Sequence, residues 1–378
     1  MPDPTASDAA ASDPTASDAA ASEHAPSLAP SAAADGGPSR ARVVRVDRGA
    51  VRVVPADDLT AEPRRAALPR DGLVPLPDGR PVPPAVGDVV DVEEVDVTGG
   101  EPRVVALHER RTALVRDSAG RTSLEQVVAA NVDVVLVVEH LDPDPAPGRV
   151  ERLLTLAWRS GARPVVVLTK ADLVPDPDGM AAQVAELAVG VDVHVVSVVT
   201  GRGLDAVRDL LEPGVALVVV GPSGAGKSTL VNAVVGRDVM ATGEARADGR
   251  GRHTTTHREL VPLPGGAVLI DTPGVRGVGL VAEPDAIDAA FADVAALAAA
   301  CRFRDCAHET EPGCAVRAAV ADGELSERRL TSWRHLLAEA AHQARRADAR
   351  LAAQERERRK QATREYHRHV RGPRGARG

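Results

Sequence analysis

A glycine-rich stretch in the second half of the chain has the composition and spacing of a phosphate-binding loop. It lies directly after a predicted strand, opens a predicted helix, and reads Gly221-Pro222-Ser223-Gly224-Ala225-Gly226-Lys227-Ser228-Thr229. The glycines let consecutive backbone N–H groups turn toward phosphate oxygens, and the helix N-terminus adds positive potential. Lys227 supplies a point charge and Ser228 a hydroxyl ligand for Mg²⁺. The pattern predicts binding of a nucleoside triphosphate.

Two further segments have the chemistry of a nucleotide switch. Asp271-Thr272-Pro273-Gly274 follows a predicted strand, where Asp271 can hold Mg²⁺ through water and Gly274 can donate its N–H to a γ-phosphate. Such a four-residue pattern alone is more often a plain turn. Upstream, residues 249–257 read GRGRHTTTH, and one threonine among Thr254, Thr255 and Thr256 is expected to reach the metal. We take Thr255 as the candidate, although the sequence does not decide among the three.

Base identity depends on the segment Thr169-Lys170-Ala171-Asp172, which ends another predicted strand. A carboxylate at Asp172 can accept both the ring N–H and the exocyclic amine of guanine, a donor pair that adenine does not have. A loop from Ser197 to Gly201 ends the next strand and can touch the guanine carbonyl through its backbone amides. Each segment alone could be an ordinary strand-to-helix turn. Together they indicate GTP.

All three cysteines lie within 14 residues and surround a histidine: Cys301, Cys306, His308 and Cys314. Three thiolates and one imidazole complete a tetrahedral zinc site with no open position, so we expect one structural Zn²⁺. The alternative is three free thiols near a surface histidine. An odd, clustered set of cysteines does not suit a secreted disulfide scaffold and favours the reduced cytoplasm.

The elements that must position these residues follow from hydrophobic periodicity. Between about residues 131 and 281, β-branched runs alternate with helical segments, which predicts a mostly parallel, doubly wound sheet. The predicted strands are Val132–Val138, Pro164–Leu168, Val191–Val196, Val215–Val220 and Ala267–Ile270. The predicted helices are Arg149–Arg159, Met180–Val189, Leu204–Leu211 and Lys227–Val235. A helical, metal-bearing region is expected from about Asp285.

Before this region, residues 40–117 show short alternating apolar runs at 43–46, 51–54, 89–97 and 104–107. Turn signals separate the runs, and this spacing predicts a small closed barrel of the OB type with five strands. A β module without any ligand is the alternative. Residues 1–39 contain an exact duplication of DPTASDAAAS, with too little apolar surface to order, and are predicted to be a disordered acidic extension.

Composition narrows the possible partners. No apolar run approaches the roughly 18 residues of a membrane helix, which excludes an integral membrane protein. The chain has two Trp, two Phe and one Tyr, too few for a sheet of base-stacking rings, so any RNA binding must rely on charge and shape. Residues 1–39 carry six acidic and no basic side chains, whereas residues 334–378 carry 13 basic and 5 acidic ones. A basic tail on an acidic body suits a polyanionic partner, although a solvated charged helix is the plainer alternative.

The order of the motifs is unusual, because base recognition precedes the phosphate loop by about 50 residues, the reverse of Ras-like GTPases. With the barrel before and the Cys/His cluster after, residues 40–335 resemble the family of ribosome small subunit-dependent GTPase A, a circularly permuted GTPase of bacterial ribosome assembly. Residues 1–39 lie outside the resemblance. The sequence patterns and the resemblance together predict the following domains: 1–39 disordered acidic extension, 40–117 OB-like β-barrel, 118–284 permuted P-loop GTPase domain, 285–340 zinc-binding helical domain, and 341–378 basic C-terminal helix and tail.

The resemblance also implies a function. It is that of a monomeric, cytoplasmic GTP hydrolase that binds the small (30S) ribosomal subunit and its 16S rRNA in late maturation and leaves after hydrolysis. Two residues depart from the usual pattern. Thr169 replaces the commoner asparagine, which puts nucleotide affinity in doubt, and Val275 stands where Ras-like enzymes carry a water-orienting glutamine. Intrinsic hydrolysis is therefore expected to be slow, as low as about 10⁻⁴ to 10⁻² s⁻¹.

Several alternatives stay open at this point. His253 or His257 could orient the attacking water, although a polar loop histidine is the favoured interpretation of each. A GTP-dependent adaptor that recruits a protein, with incidental hydrolysis, would carry the same nucleotide motifs. A phosphate-loop ATPase or kinase is more distant, since Asp172 argues against adenine.

Overall fold

The computed structural model describes residues 37–94, 100–117, 125–240, 258–271 and 283–345, together with 356 and 360. The predicted N-terminal extension, apart from its last residues, and most of the predicted basic tail lie outside these residues. The candidates Thr255 and Gly274 also lie outside them, as do Val275, His253 and His257.

The first unit is a closed barrel built from short, valine-rich strands. Its strands, with a small hairpin formed by β4 and β5, are β1 (Ser39–Asp47), β2 (Ala50–Pro55), β3 (Arg64–Ala67), β4 (Val74–Pro75), β5 (Pro81–Val82), β6 (Val89–Glu93) and β7 (Arg103–Leu107). Hydrogen bonding closes the ring β1-β2-β3-β7-β6-β1. Alternate valines such as Val43, Val53 and Val90 fill its core. The predicted five-stranded OB-like barrel is confirmed.

The second unit is an α/β layer structure. Its strands are β8 (Ala113–Asp117), β9 (Glu125–Ala130), β10 (Val134–His140), β11 (Arg163–Thr169), β12 (Asp192–Val195), β13 (Ala216–Val220), β14 (Glu259–Pro262) and β15 (Val268–Asp271). β8 and β9 form a separate hairpin, and the main sheet has the order β12-β11-β10-β13-β15-β14, with β14 antiparallel to β15. The other strand pairs are parallel. The predicted doubly wound sheet is confirmed.

Helices cover both faces of this sheet. They are α1 (Pro147–Ser160), α2 (Pro177–Ala185), α3 (Leu204–Arg208) and α4 (Lys227–Val235). Apolar residues of α1 and α2 join one hydrophobic cluster, and those of α3 and α4 join another on the opposite face. α4 has the predicted bounds. α2 begins three residues before the predicted Met180, because the Asp176 side chain accepts from the Gly179 N–H and Pro177 occupies the first turn.

The third unit is helical and packs on α1. Its helices are α5 (Pro284–Ala290), α6 (Ala292–Ala299), α7 (Ala315–Ala321) and α8, over residues 327–345. Ile287 of α5, Leu330 of α8 and Leu154 of α1 belong to one buried cluster. Within the described ranges, no helix combines the length and the apolar character needed to cross a membrane.

A buried charge network ties α8 to α1. Glu151 of α1 is fully buried, and it accepts from the guanidinium groups of Arg328 (3.0 and 3.2 Å) and Arg329 (2.9 Å) and from the Ser332 hydroxyl (2.6 Å). Arg329 also donates to both carboxylate oxygens of Asp293, at 2.8 and 3.0 Å. Glu151 thus has two basic partners and Arg329 two acidic ones, so each buried charge is compensated. The network fixes the third unit to the α/β unit.

Candidate nucleotide site and metal centre

The predicted phosphate loop connects β13 to α4 at the carboxyl edge of the sheet. Gly221, Gly224 and Gly226 have backbone φ angles of 148°, 79° and 78°, which residues other than glycine rarely adopt. A Cβ at Gly221 would lie 2.0 Å from the Val138 carbonyl oxygen of β10. The glycine spacing therefore reflects both backbone conformation and the close approach of a neighbouring strand.

The charged and hydroxyl groups of this loop lie at the start of α4. The Lys227 ammonium donates to the carbonyl oxygens of Gly221 (2.9 Å) and Pro222 (2.6 Å), which places the charge over the loop. Ser228 follows in the first turn of α4, half-buried. Ser223, Gly224 and Thr229 are exposed, whereas Ala225 is buried.

Asp271 lies on the same edge of the sheet as the phosphate loop. It is the last residue of β15, and the preceding Ile270 pairs with Val218 of β13 in a parallel register. The carboxyl ends of neighbouring parallel strands meet at one edge. The structure thus brings Asp271 toward Lys227 and Ser228.

The base-recognition segment reaches this edge from the other side of β10. Thr169 ends β11, and Ala171–Leu173 form a short 3₁₀ turn that presents Asp172 to solvent. The Ser197 hydroxyl donates to Asp172 Oδ1 at 2.5 Å and accepts from the Thr200 N–H at 3.2 Å. The Ser197 hydroxyl therefore orients the Asp172 carboxylate, a role that the sequence did not indicate. Contact between the backbone amides of the Ser197–Gly201 loop and the guanine carbonyl stays a prediction.

Lys170 and Ala171 complete this segment. Lys170 adopts a left-handed backbone conformation with φ 61°, and its ammonium lies 3.5 Å from the Asp142 carbonyl oxygen. The Ala171 N–H donates to the Val196 carbonyl at 3.2 Å, which links the segment to the end of β12. Both base-recognition loops are therefore held together before the base binds.

Thr169 connects base recognition directly to the phosphate loop. Its buried hydroxyl lies 2.7 Å from the Ala225 carbonyl oxygen and 3.2 Å from that of Glu139. A hydroxyl has one hydrogen, so its stronger donation goes to Ala225, the shorter of the two. Thr169, which stands in place of the commoner asparagine, therefore still provides a hydrogen bond between the base-recognition segment and the phosphate loop.

Sequence reasoning missed the polar pair that supports this connection. Glu139 is fully buried at the end of β10, and its carboxylate accepts from Arg149 of α1 at 2.6 and 2.8 Å. The hydrogen bond to Glu139 raises the pKa of Arg149, so its guanidinium stays charged. A signal was present, because a lone glutamate ending an all-valine and leucine strand needs a buried partner.

The cysteines and the histidine converge as expected for a metal centre. The ligand atoms of Cys301, Cys306, His308 and Cys314 all lie within 4.8 Å of one another. Cys301 Sγ is 3.9 Å from Cys314 Sγ, and each of these two atoms is 3.5 Å from His308 Nδ1. Tetrahedral zinc at ordinary bond lengths requires sulfur–sulfur separations of about 3.8 Å and sulfur–nitrogen separations of about 3.6 Å. The donor set and spacing suit zinc.

The protonation of these ligands follows from their surroundings. Burial and the nearby Arg334 lower the pKa of His308, which keeps the imidazole neutral and able to bind a metal. Burial opposes ionisation of Cys301, yet backbone N–H groups of Val316 and Ala315 outweigh it and lower the pKa of that thiol. Burial raises the pKa of Cys306 to about 11, so metal binding must displace its proton.

Side chains around the centre hold the loop in place. The Glu311 carboxylate accepts from the backbone N–H groups of Ala307 (2.8 Å), Glu309 (2.8 Å) and Thr310 (3.0 Å). These bonds, with that of its own N–H, lower the pKa of Glu311 to about 2. Trp333 of α8 packs its ring 5.5 Å from the His308 ring. The centre thus rests on α8, which the Glu151 network fixes to α1.

The order of the strands along the chain defines the class of this protein. β10, β11 and β12, which carry base recognition, precede the phosphate-loop strand β13 in sequence, yet the sheet order places both motifs on one edge. With a barrel before the sheet and a Cys₃His centre after it, this is a circularly permuted GTPase.

Comparison with known proteins gives the particular family. The RsgA GTPase family model matches residues 107–281. The small ribosomal subunit biogenesis GTPase RsgA of Streptomyces coelicolor is 48% identical over 318 residues, 83% of each chain. The protein of the same name from Opitutus terrae is 47% identical over 284 residues, 73% of this chain and 77% of its own. The chain belongs to the RsgA GTPase family and is a GTP hydrolase.

Solved structures share the fold. The crystal structure of YjeQ from Thermotoga maritima has a TM-score of 0.58 and 25% identity, covering 80% of this chain and 98% of its own. YloQ, described as a circularly permuted GTPase, has a TM-score of 0.57 and 23% identity, covering 81% and 96%.

Proposed function

We propose that this GTPase acts in the biogenesis of the small ribosomal subunit. The subunit stimulates GTP hydrolysis by the GTPase, and the GTPase leaves the subunit after hydrolysis. The Thr169 hydrogen bond to Ala225, which joins the guanine-reading segment to the phosphate loop, carries the GTP-dependent part of this proposal. Identity of 48% over 83% of a relative named for this process supports the same conclusion.

The residues of the site take the following roles in this proposal. Asp172, oriented by Ser197, reads guanine, while Thr169, Lys170 and Ala171 form its surroundings. The loop from Gly221 to Thr229 cradles the phosphates through its backbone amides, and Lys227 neutralises charge developing on the γ-phosphate. Ser228, Asp271 and Thr255 are the residues that would hold Mg²⁺, which supplies further charge neutralisation when bound. Gly274 would sense the γ-phosphate.

Slow intrinsic turnover explains why a partner is needed. Hydrolysis requires a water held in line with the γ-phosphate, and the apolar side chain of Val275 cannot hydrogen-bond to water. The small subunit would order the site. We propose that the barrel and the metal-bearing helices bind its 16S rRNA on either side of the GTPase domain, that the chain acts as a monomer, and that it works in the cytoplasm.

We further propose that the Cys₃His centre holds one structural zinc and that the domains divide at residues 39, 117, 284 and 340. Support for zinc comes from the donor set and from the 3.5 and 3.9 Å separations of its ligand atoms. The closed barrel, the doubly wound sheet and the start of α5 at Pro284 support the boundaries at 39 and 284. β8 pairs with β9 across residue 117, and α8 runs through residue 340, so these two boundaries divide the chain within one hairpin and one helix.

The decisive experiment measures GTP turnover with purified small subunits, with large subunits and with neither. We expect stimulation confined to small subunits. Equal turnover in all three mixtures would contradict the proposal and favour an adaptor that uses GTP only to recruit a protein, especially if partner binding were also insensitive to salt.

A further inference from the structure

The barrel and the GTPase sheet share one strand. β1 pairs with β2 and β6 inside the barrel, and it also pairs with β14 through Arg45 and Glu259. The strand order therefore runs from β15 through β14 into the barrel without a break. β14 would otherwise be the outer strand of the GTPase sheet, and in this protein the barrel occupies its free side.

A bulge in β1 makes this double pairing possible. The register between β1 and β2 shifts between Val43 and Arg45, which leaves Val44 as the extra residue. Val43 is buried in the barrel core, whereas Val44 is buried in the cluster that also contains Leu260 of β14. A bulge bends a strand and redirects its side chains. Consecutive valines thus serve two separate cores.

The strands at this junction lead to the nucleotide. β14 and β15 are antiparallel, and Glu259, which pairs with Arg45, also pairs with Asp271 on its other side. The barrel loop at Gly87 lies against Ile270, the residue before Asp271, since a Cβ added at Gly87 would be 3.0 Å from Ile270 Cδ1. We name the group Val44, Arg45, Glu259 and Leu260 the barrel seam. It adjoins the candidate magnesium ligand Asp271, which pairs with Glu259.

A second junction anchors the barrel far more firmly. The Asn131 side chain donates to the Gly87 carbonyl at 3.0 Å and accepts from the Arg111 N–H at 3.0 Å. Its backbone carbonyl accepts from Arg42 at 3.3 Å, and Ala130 donates to the Val86 carbonyl at 2.9 Å. The β1–β14 contact, in contrast, rests on one pair of residues. The barrel is therefore fixed near Asn131 and lightly paired at β14.

We propose that the barrel seam couples the nucleotide state to the barrel: a change at Asp271 when the γ-phosphate is lost passes through β15 and β14 to β1, and the barrel turns about its anchor at Asn131. The inference rests on the proposed role of Asp271 at the nucleotide. Coupling is reciprocal, so fixing the seam must change the relative affinities for GTP and GDP.

A reversible crosslink across the seam in the full-length chain tests this. Directly opposed residues of antiparallel strands have Cα atoms about 4.5–5.5 Å apart, within the range of disulfides. In the double variant Arg45→Cys/Glu259→Cys, we expect oxidation to change the ratio of GTPγS to GDP affinity by at least about 5-fold, the lower end of typical coupling, and reduction to reverse the change.

A matched control uses the same chemistry within the barrel. Arg52 and Arg65 are both exposed and oppose each other on β2 and β3. The variant Arg52→Cys/Arg65→Cys should keep the same affinity ratio when oxidised, and wild type treated identically controls for the native cysteines. An unchanged ratio in the oxidised seam variant would overturn the proposal.

Hydrogen exchange on the wild type gives a second test that needs no crosslink. Backbone amides of residues 44–46 and 259–261 should exchange at different rates with GTPγS and with GDP bound, while those of residues 51–53 should not. Equal exchange at the seam in both states would overturn the coupling. Neither measurement uses ribosomal subunits, so its outcome is independent of whether small subunits stimulate turnover.

Discussion

Replacing Thr169 by valine tests whether one hydroxyl connects the two halves of the nucleotide site. Valine has nearly the shape of threonine but no donor, so the Ala225 carbonyl loses its hydrogen bond at 2.7 Å and the Glu139 carbonyl loses the weaker contact at 3.2 Å. Thr169 and Ala225 are both buried, which limits replacement by water. The change therefore acts on the connection and leaves Asp172 and Lys227 in place.

The expected loss follows from the cost of unpaired buried groups. One neutral hydrogen bond contributes about 0.5–1.5 kcal/mol, and an unsatisfied buried acceptor costs about 1–3 kcal/mol. A loss of about 1–2 kcal/mol in binding corresponds to roughly 5- to 30-fold weaker affinity. Thr169 ends β11, which β10 and β13 separate from β15 and Asp271. GDP and GTPγS should therefore weaken equally.

Affinity is best measured by calorimetry for both nucleotides, with thermal unfolding of the nucleotide-free variant to separate folding from binding. Thr169→Ser keeps the hydroxyl and should bind within about threefold of wild type. Thr169→Asn offers two amide hydrogens to two carbonyl acceptors and should bind more tightly than wild type. If Thr169→Val bound both nucleotides with wild-type affinity, the connecting role of this hydroxyl would be refuted.

Three further predictions concern the guanine-reading carboxylate, the metal centre and the buried charge network. Asp172→Asn removes the acceptor of two charge-assisted hydrogen bonds worth about 1.5–3 kcal/mol each, so GTP affinity should fall at least about 100-fold. Xanthosine triphosphate, tested in competition, should bind better to this variant than to wild type. An unchanged preference for guanine would exclude Asp172 as the base reader. Purified protein should contain one zinc per chain by elemental analysis, and Cys306→Ser should lose it and unfold at lower temperature, whereas a metal-free wild type of equal stability would show that the thiols are free. Glu151→Gln should destabilise the chain by about 1.5–3 kcal/mol in urea unfolding, because buried Arg329 loses its charge-assisted hydrogen bond to Glu151 and keeps only its pair with Asp293. Arg152→Gln, at a part-exposed ion pair on the same helix, should cost less than about 1 kcal/mol, and similar losses for both would count against the network.

The parts of the fold that the sequence predicts are those with strong local signals. The helix Lys227–Val235 follows from a glycine loop and ends at Gly236, whose left-handed conformation caps it. The strands β10, β11 and β13 are continuous buried runs, which only a sheet covered on both faces accommodates. The chain order of Asp172 and the phosphate loop is sufficient to indicate the permutation, because each motif is recognisable from its own residues.

The missed features depend on tertiary contacts. β3 reads Arg-Arg-Ala-Ala and buries only Ala66 fully, so it has no hydrophobic alternation, and it becomes a strand because β2 and β7 pair with it. β14 was not predicted either, since its four residues give too short a pattern. The Thr169 bridge joins residues 56 positions apart, and nothing near Thr169 in sequence identifies Ala225 as its partner.

The permutation acquires a structural meaning from these contacts. Because base recognition comes first in the chain, β14 and β15 come last among the strands in sequence and precede the metal-bearing helices. β15 ends at Asp271, the candidate magnesium ligand. Those helices pack on α1, where Arg329 of α8 binds Glu151. The first turn of α1 contains Arg149, which pairs with buried Glu139, and the Glu139 carbonyl contacts the Thr169 hydroxyl. The barrel contacts β14 from the opposite side. Each accessory unit therefore contacts the GTPase domain close to one candidate nucleotide-binding segment. The proposed RNA partner, by holding both units, would act on the guanine and the γ-phosphate ends of one site.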